Sequence, residues 1–173
     1  MIELTKKSRY LVPILALVPI LKSNNMSAYQ LDRVCVEENR FVVMDGSMLL
    51  VVNLEHEFPV GLYRVVSSSK TKVTLDLDST DLDLFPDYKG NILHFFDEFQ
   101  FTTLPKYCLT TPDAGYAAVI RALPKNFIAH KYWNLIAPIV DCYAIAAKNP
   151  DVMPILFCSG DGKYQAVIMS IMP

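Results

Sequence analysis

Phe41-Val-Val-Met-Asp-Gly-Ser-Met-Leu-Leu-Val-Val52 decides how the rest of the chain is read. Two apolar runs flank Asp45-Gly46, and the glycine accepts the positive φ that a tight reversal needs, so a β-hairpin is expected. Both runs are continuous rather than alternating. Strands of that pattern are covered on both faces, or are covered on one face and meet a partner on the other.

Upstream of the hairpin, residues 1–9 are polar and basic. Leu11, Ile14, Leu15, Val18 and Leu21 then recur at helical spacing. Pro13 suits a first turn, whereas Pro19 is expected to kink or end the helix. Ser23-Asn24-Asn25 reads as a turn or loop. The stretches Leu31 to Val36, Arg40 to Met44 and Ser47 to Leu54 predict a three-stranded meander with turns at Glu38-Asn39 and Asp45-Gly46. Downstream, Leu62 to Val66 and the alternating Lys72 to Asp78 read as strands joined through Ser67 to Lys70. The aromatic-rich stretch His94 to Leu123 includes a short helix near Asp113 to Ala122, and Ile128 to Ile136 reads as a second helix stopped near Pro138. Strands at Tyr143 to Ala147, Pro154 to Cys158 and Tyr164 to Ile171 close the chain, with turns at Asn149-Pro150-Asp151 and Gly160-Asp161-Gly162. Runs of strands punctuated by helices indicate an α+β fold: an antiparallel sheet with two helices packed on one side.

Composition narrows the function classes. Hydrophobic residues make up 52% of the 173 positions and the mean hydropathy is +0.26. No apolar run approaches the ~20 residues of a membrane helix, so no membrane partner is expected. The apolar excess is assigned to a core plus a subunit or partner interface. Cys35, Cys108, Cys142 and Cys158 lie far apart with no Cys-x-x-Cys pair. Neither zinc nor a redox dithiol is expected from that spacing, and free, buried thiols in the cytoplasm are. The net charge of −2 confines any nucleic-acid contact to a local patch.

Catalytic signatures are missing: there is no Gly-x-Ser-x-Gly elbow, phosphate loop or dinucleotide fingerprint. His56, His94 and His130 stand in unrelated contexts. Asp76, Asp78, Asp81 and Asp83 form one carboxylate cluster, read either as oxygen ligands for a hard cation or as the solvated side of a strand and its turn. The expectation is a non-enzyme with no catalytic residue, no metal and no cofactor. Lys6, Lys7, Arg9 and Lys22 flank the first helix, and Arg121, Lys125, His130 and Lys131 surround the second. They read either as one basic face for a phosphate backbone or as solubilising charge.

Several segments, in order, resemble the sliding-clamp family, the β subunit of bacterial DNA polymerase III. Asp45-Gly46-Ser47-Met48-Leu49 is similar to that family's Ala-Thr-Asp-Gly-x-x-Leu hairpin. Phe85-Pro-Asp-Tyr88 matches its Phe-Pro-Asp-Tyr segment. Ile128-Ala-His-Lys-Tyr-Trp133 resembles the opening of its last helix, and Met153-Pro-Ile-Leu-Phe157 with Val167-Ile-Met-Ser-Ile171 resembles its closing hairpin. The resemblance spans about half the chain. It departs at Met44, where a threonine is usual, at Ser47-Met48, and at Ser170, where the terminal motif has proline.

What the resemblance implies is a single clamp-like domain over 1–173, with an insertion at about 94–124, of phage or prophage origin. It implies a homo-oligomer in the cytoplasm, acting as a replication processivity factor. Its partners would be the backbone of duplex DNA and short peptide motifs of a DNA polymerase or other replication proteins. The implied peptide groove comprises Ser47, Leu49, Val167, Met169, Ser170 and Ile171. The implied DNA-facing residues are Lys6, Lys7, Arg9, Lys22, Lys125, His130 and Lys131. The alternative is a clamp-fold interaction module, or an inhibitor of host replication proteins, that forms no ring.

Overall fold

The hairpin at Asp45 forms as its sequence requires. In the computed structural model the chain is described at residues 1–22, 31–90, 96, 100–104, 112–122, 128–145 and 154–169. Strands β3 (Arg40–Met44) and β4 (Met48–Asn53) pair antiparallel with Met44 opposite Leu49 and Phe41 opposite Val52. Gly46 takes φ +84°, which an L side chain adopts only with strain. The Asp45 carboxylate accepts the N–H groups of Ser47 and Met48 at 3.0 and 2.9 Å, so the turn satisfies its own backbone. All of Phe41 to Val43 and Met48 to Val52 are buried, which accounts for the unbroken apolar runs.

The chain divides into two compact units, 1–87 and 88–173. In the first, β1 (Ile2–Thr5), β2 (Val34–Glu37), β5 (Gly61–Ser69) and β6 (Lys72–Ser79) join the hairpin in an antiparallel sheet ordered β1-β6-β5-β2-β3-β4. Helix α1 (Leu11–Lys22) lies across β3, β4, β5 and β6. It buries Leu11, Ile14, Leu17, Val18, Ile20 and Leu21, and leaves Val12 exposed.

Helix α1 runs through Pro19, contrary to the expected break. A proline inside a helix costs about 3 kcal/mol through a lost hydrogen bond and ring crowding. Beyond it Ile20 is 0% and Leu21 6% exposed, and each such burial returns about 1.5–3 kcal/mol, so continuing the helix wins. Strand β1, absent from the sequence reading, is four residues long with one buried side chain, Leu4, too short to show a period. It pairs along β6, Leu4 opposite Val73. Strand β5 also runs past the expected turn to Ser69, because Ser67 and Ser68 find ladder partners in Thr74 and Val73.

In the second unit, β7 (Thr102–Thr103), β8 (Cys142–Ile145), β9 (Pro154–Cys158) and β10 (Tyr164–Met169) form antiparallel ladders in the order β10-β9-β8-β7. Helices α2 (Pro112–Ala122) and α3 (His130–Ile136) contact each other. Trp133 of α3, 1% exposed, meets the Phe157 ring of β9 at 5.9 Å between centroids. The β9–β10 turn is closed by Ser159, whose N–H donates to the Tyr164 carbonyl at 3.0 Å, and by Gly162 at φ +71°. Antiparallel strands with helices packed on them make the expected α+β class the observed one. Thr102–Thr103 is the other strand the sequence reading lacked, two residues being below any pattern.

Candidate peptide groove and DNA-facing residues

Of the implied groove residues, Ser47 lies in the turn of the β3–β4 hairpin and Leu49 in the ladder pair next to it, opposite Met44. Ser47 is exposed, while Leu49 is 2% exposed. Val167 and Met169 belong to β10, with Val167 buried opposite Leu156 and Met169 half-buried opposite Pro154. Ser170 and Ile171 lie outside the described residues. Within the described set, Ser47 is exposed and Met169 half-buried, whereas Leu49 and Val167 are buried in the cores of their own units.

The basic residues sit at helix ends. Lys6 and Lys7 are exposed in the link from β1 to α1 and form no ion pair among the described residues. Arg9 is exposed but occupied: its guanidinium donates to the Tyr10 hydroxyl at 2.8 Å and to the Glu55 carbonyl at 3.2 Å. The Tyr10 contact raises its pKa further, with smaller contributions from Glu55 and Glu57. Lys22 is the last residue of α1. The positive end of the α1 dipole adds to Lys6 and Lys7. Its donors are largely used, since Leu11 and Ile14 N–H go to the Ser8 and Tyr10 carbonyls and Pro13 has none. An anion there would be held by lysine side chains.

On α3, Lys131 is exposed, with Nζ 4.4 Å from the centre of the Tyr132 ring. His130 is committed within its own unit. Its Nε2 lies 3.4 Å from Asp113, its ring meets Tyr116 edge-on, and its Nδ1 contacts Asn134 Nδ2 at 3.2 Å. Lys125 lies outside the described residues.

Two of the four clustered carboxylates, Asp76 and Asp78, are paired with cations of the chain itself. Asp78 binds Arg33 and, at 3.0 Å, Arg64, and Asp76 lies 3.4 Å from the N-terminal ammonium. Asp81 caps the 3-10 turn Leu82–Leu84 by accepting the Asp83 N–H at 3.0 Å. Among the described residues no group of three or more metal-ligating side chains is assembled. Arg33, 5% exposed and held between Asp32 and Asp78, is a buried ion network that the sequence reading passed over as part of a strand. Its signal was the charged pair Asp32-Arg33 leading directly into the apolar Val34 to Val36.

Pairing order, the Asp-Gly hairpin and helices laid on antiparallel strands define a clamp-type α+β fold. The same fold occurs in the crystal structure of a putative DNA polymerase III beta subunit from Eubacterium rectale, at a TM-score of 0.55 and 10% sequence identity. That similarity covers 98% of this chain, which spans 64% of the length of the other. No protein-family model and no curated protein matches the sequence. No helix among the described residues is long and apolar enough to cross a membrane.

Proposed function

We propose that this chain is a non-catalytic, clamp-like DNA-replication protein that self-associates in the cytoplasm, contacts duplex DNA through its backbone and tethers replication proteins by short peptide motifs. The observation that carries this reading is the fold similarity to a putative polymerase III beta subunit over nearly the whole chain. The exposed Lys6 and Lys7, in no ion pair among the described residues and beside the positive end of α1, and Lys131 on α3 support the phosphate contact. Lys22, Lys125, Arg9 and His130 complete the proposed DNA face, the last two already engaged by internal partners. Ser47, Leu49, Val167, Met169, Ser170 and Ile171 are the proposed peptide groove, in which a methionine can repack around different apolar anchors. Residues 1–173 act as one clamp-like domain with an insertion at about 94–124.

Duplex binding measured by fluorescence anisotropy across a salt series tests the reading. Affinity is expected to fall with salt at about −0.9 in log–log slope per phosphate neutralised. Replacing Lys6, Lys7 and Lys131 together with alanine should flatten the slope by about three such contacts. Absence of any duplex binding at low salt would overturn it. A second reading, a clamp-fold interaction module that forms no ring, is favoured by the net charge of −2 and by the internal commitment of Arg9 and His130. Under that reading duplex binding is absent, while Met169→Asp, with its thermal transition intact, still abolishes capture of a replication protein.

A further inference from the structure

Cys142 and Cys158 are distant in sequence, but the β8–β9 ladder sets them directly opposite one another. Opposed residues of an antiparallel pair have Cα atoms about 4.5–5.5 Å apart, inside the ~4.4–6.8 Å span that a disulfide bridges. Their side chains leave the same face of the ladder, and the two thiols interact closely enough to perturb each other's ionisation. Both are only partly buried, whereas Cys35 is fully buried. Asp141 directly precedes Cys142 in the chain, and its carboxylate adds to burial, the larger cause, in raising the pKa of both thiols. It sits against Gly160, where an added Cβ would lie 3.1 Å from Asp141 Oδ2.

We propose that Cys142 and Cys158 are a thiol–disulfide exchange site that closes reversibly into a cross-strand disulfide, with a small-molecule disulfide such as glutathione disulfide as oxidant. The Cys142 thiolate attacks one sulfur of the external disulfide, forming a mixed disulfide and releasing one thiolate, which takes up the proton Cys142 lost. Cys158 then attacks the Cys142 sulfur, forming the internal bond and releasing the second small thiol. The two protein thiols lose two electrons and two protons, and the external disulfide gains them. Burial pushes the Cys158 thiol up to about 12 and raises Cys142 as well, so Cys142 is the better first attacker and closure is slow at neutral pH. Closure staples β8 to β9, and β7 is held to the pair through β8.

The test is incubation of the native, reduced protein with glutathione disulfide, followed by alkylation, digestion and mass spectrometry. A Cys142–Cys158 linked peptide is expected, with alkylation of both residues lost together and restored by dithiothreitol. The oxidised protein should also melt at a higher temperature than the reduced one. A Cys108→Ser variant should close in the same way, and Cys158→Ser should stop at a Cys142 glutathione adduct. Glutathione adducts alone on the wild type, or bonds that involve only Cys35 or Cys108, would overturn the proposal.

Discussion

His56 stacks on Phe58 and lies 4.5 Å from the Phe41 ring, and the Phe58 N–H donates to its Nδ1 at 3.2 Å. That donor needs a neutral ring nitrogen, and burial lowers the His56 pKa below the usual histidine value. With the folded pKa depressed, its contribution to stability is present above the unfolded value of about 6.5 and is lost as pH falls through the folded one. Melting temperature should therefore drop between about pH 7 and 5 more steeply in the wild type than in His56→Gln. Equal slopes would remove His56 from the account. Gly61 makes a steric prediction. A Cβ there would lie 2.6 Å from both the Ser79 carbonyl oxygen and Leu77 Cδ1, and backbone cannot step aside. Gly61→Ala should cost about 1–3 kcal/mol in urea unfolding, whereas Gly46→Ala, with nothing within 4 Å and only its φ of +84° to resist, should cost about 1.

At the scale of elements, legibility followed length and pattern. The Asp45 hairpin, the meander and the Pro154 to Cys158 strand could be read because turn residues and apolar runs agreed locally. Ile2–Thr5 and Thr102–Thr103 could not, since strands of four and two residues exist only through their partners on β6 and β8. Helix α1 was read correctly in kind, and Leu11, Ile14, Val18 and Leu21 of its expected stripe are buried, but Leu17 and Ile20 are buried as well and Leu15 only partly. Its sequence is apolar on nearly every side, so tertiary contacts alone choose Leu17 and Ile20 over Leu15. The Cys142–Cys158 juxtaposition was invisible for the same reason: spacing rules see neighbours in sequence, and the β8–β9 register makes neighbours in space. Pro19 carries the element-scale prediction. It is exposed on α1 and interrupts its hydrogen bonds, so Pro19→Ala should raise stability by about 1–2 kcal/mol, the restored bond outweighing a looser unfolded chain. The urea midpoint should rise with an unchanged slope, and a lower midpoint would mean the helix depends on the proline.

For the whole molecule, the fold is the firm part and the site the proposed part. A clamp architecture shared at 10% identity fixes how strands and helices are arranged but leaves function to particular residues. Two of the implied groove positions, Leu49 and Val167, are buried, and two of the implied cationic positions, Arg9 and His130, already have partners. A clamp built from this chain would therefore lean on Lys6, Lys7 and Lys131 for phosphate and on Met169 and Ser47 for peptide. Self-association belongs to the proposed reading, and the chain spans 64% of the length of the structure it resembles. Mass in solution, measured with and without duplex DNA at low salt, bears on this most directly. A self-associating, DNA-binding clamp gives a multiple of the 19.5 kDa chain that shifts to a heavier, salt-sensitive species when duplex is added. A 19.5 kDa monomer, unchanged by DNA at micromolar concentration, would contradict it.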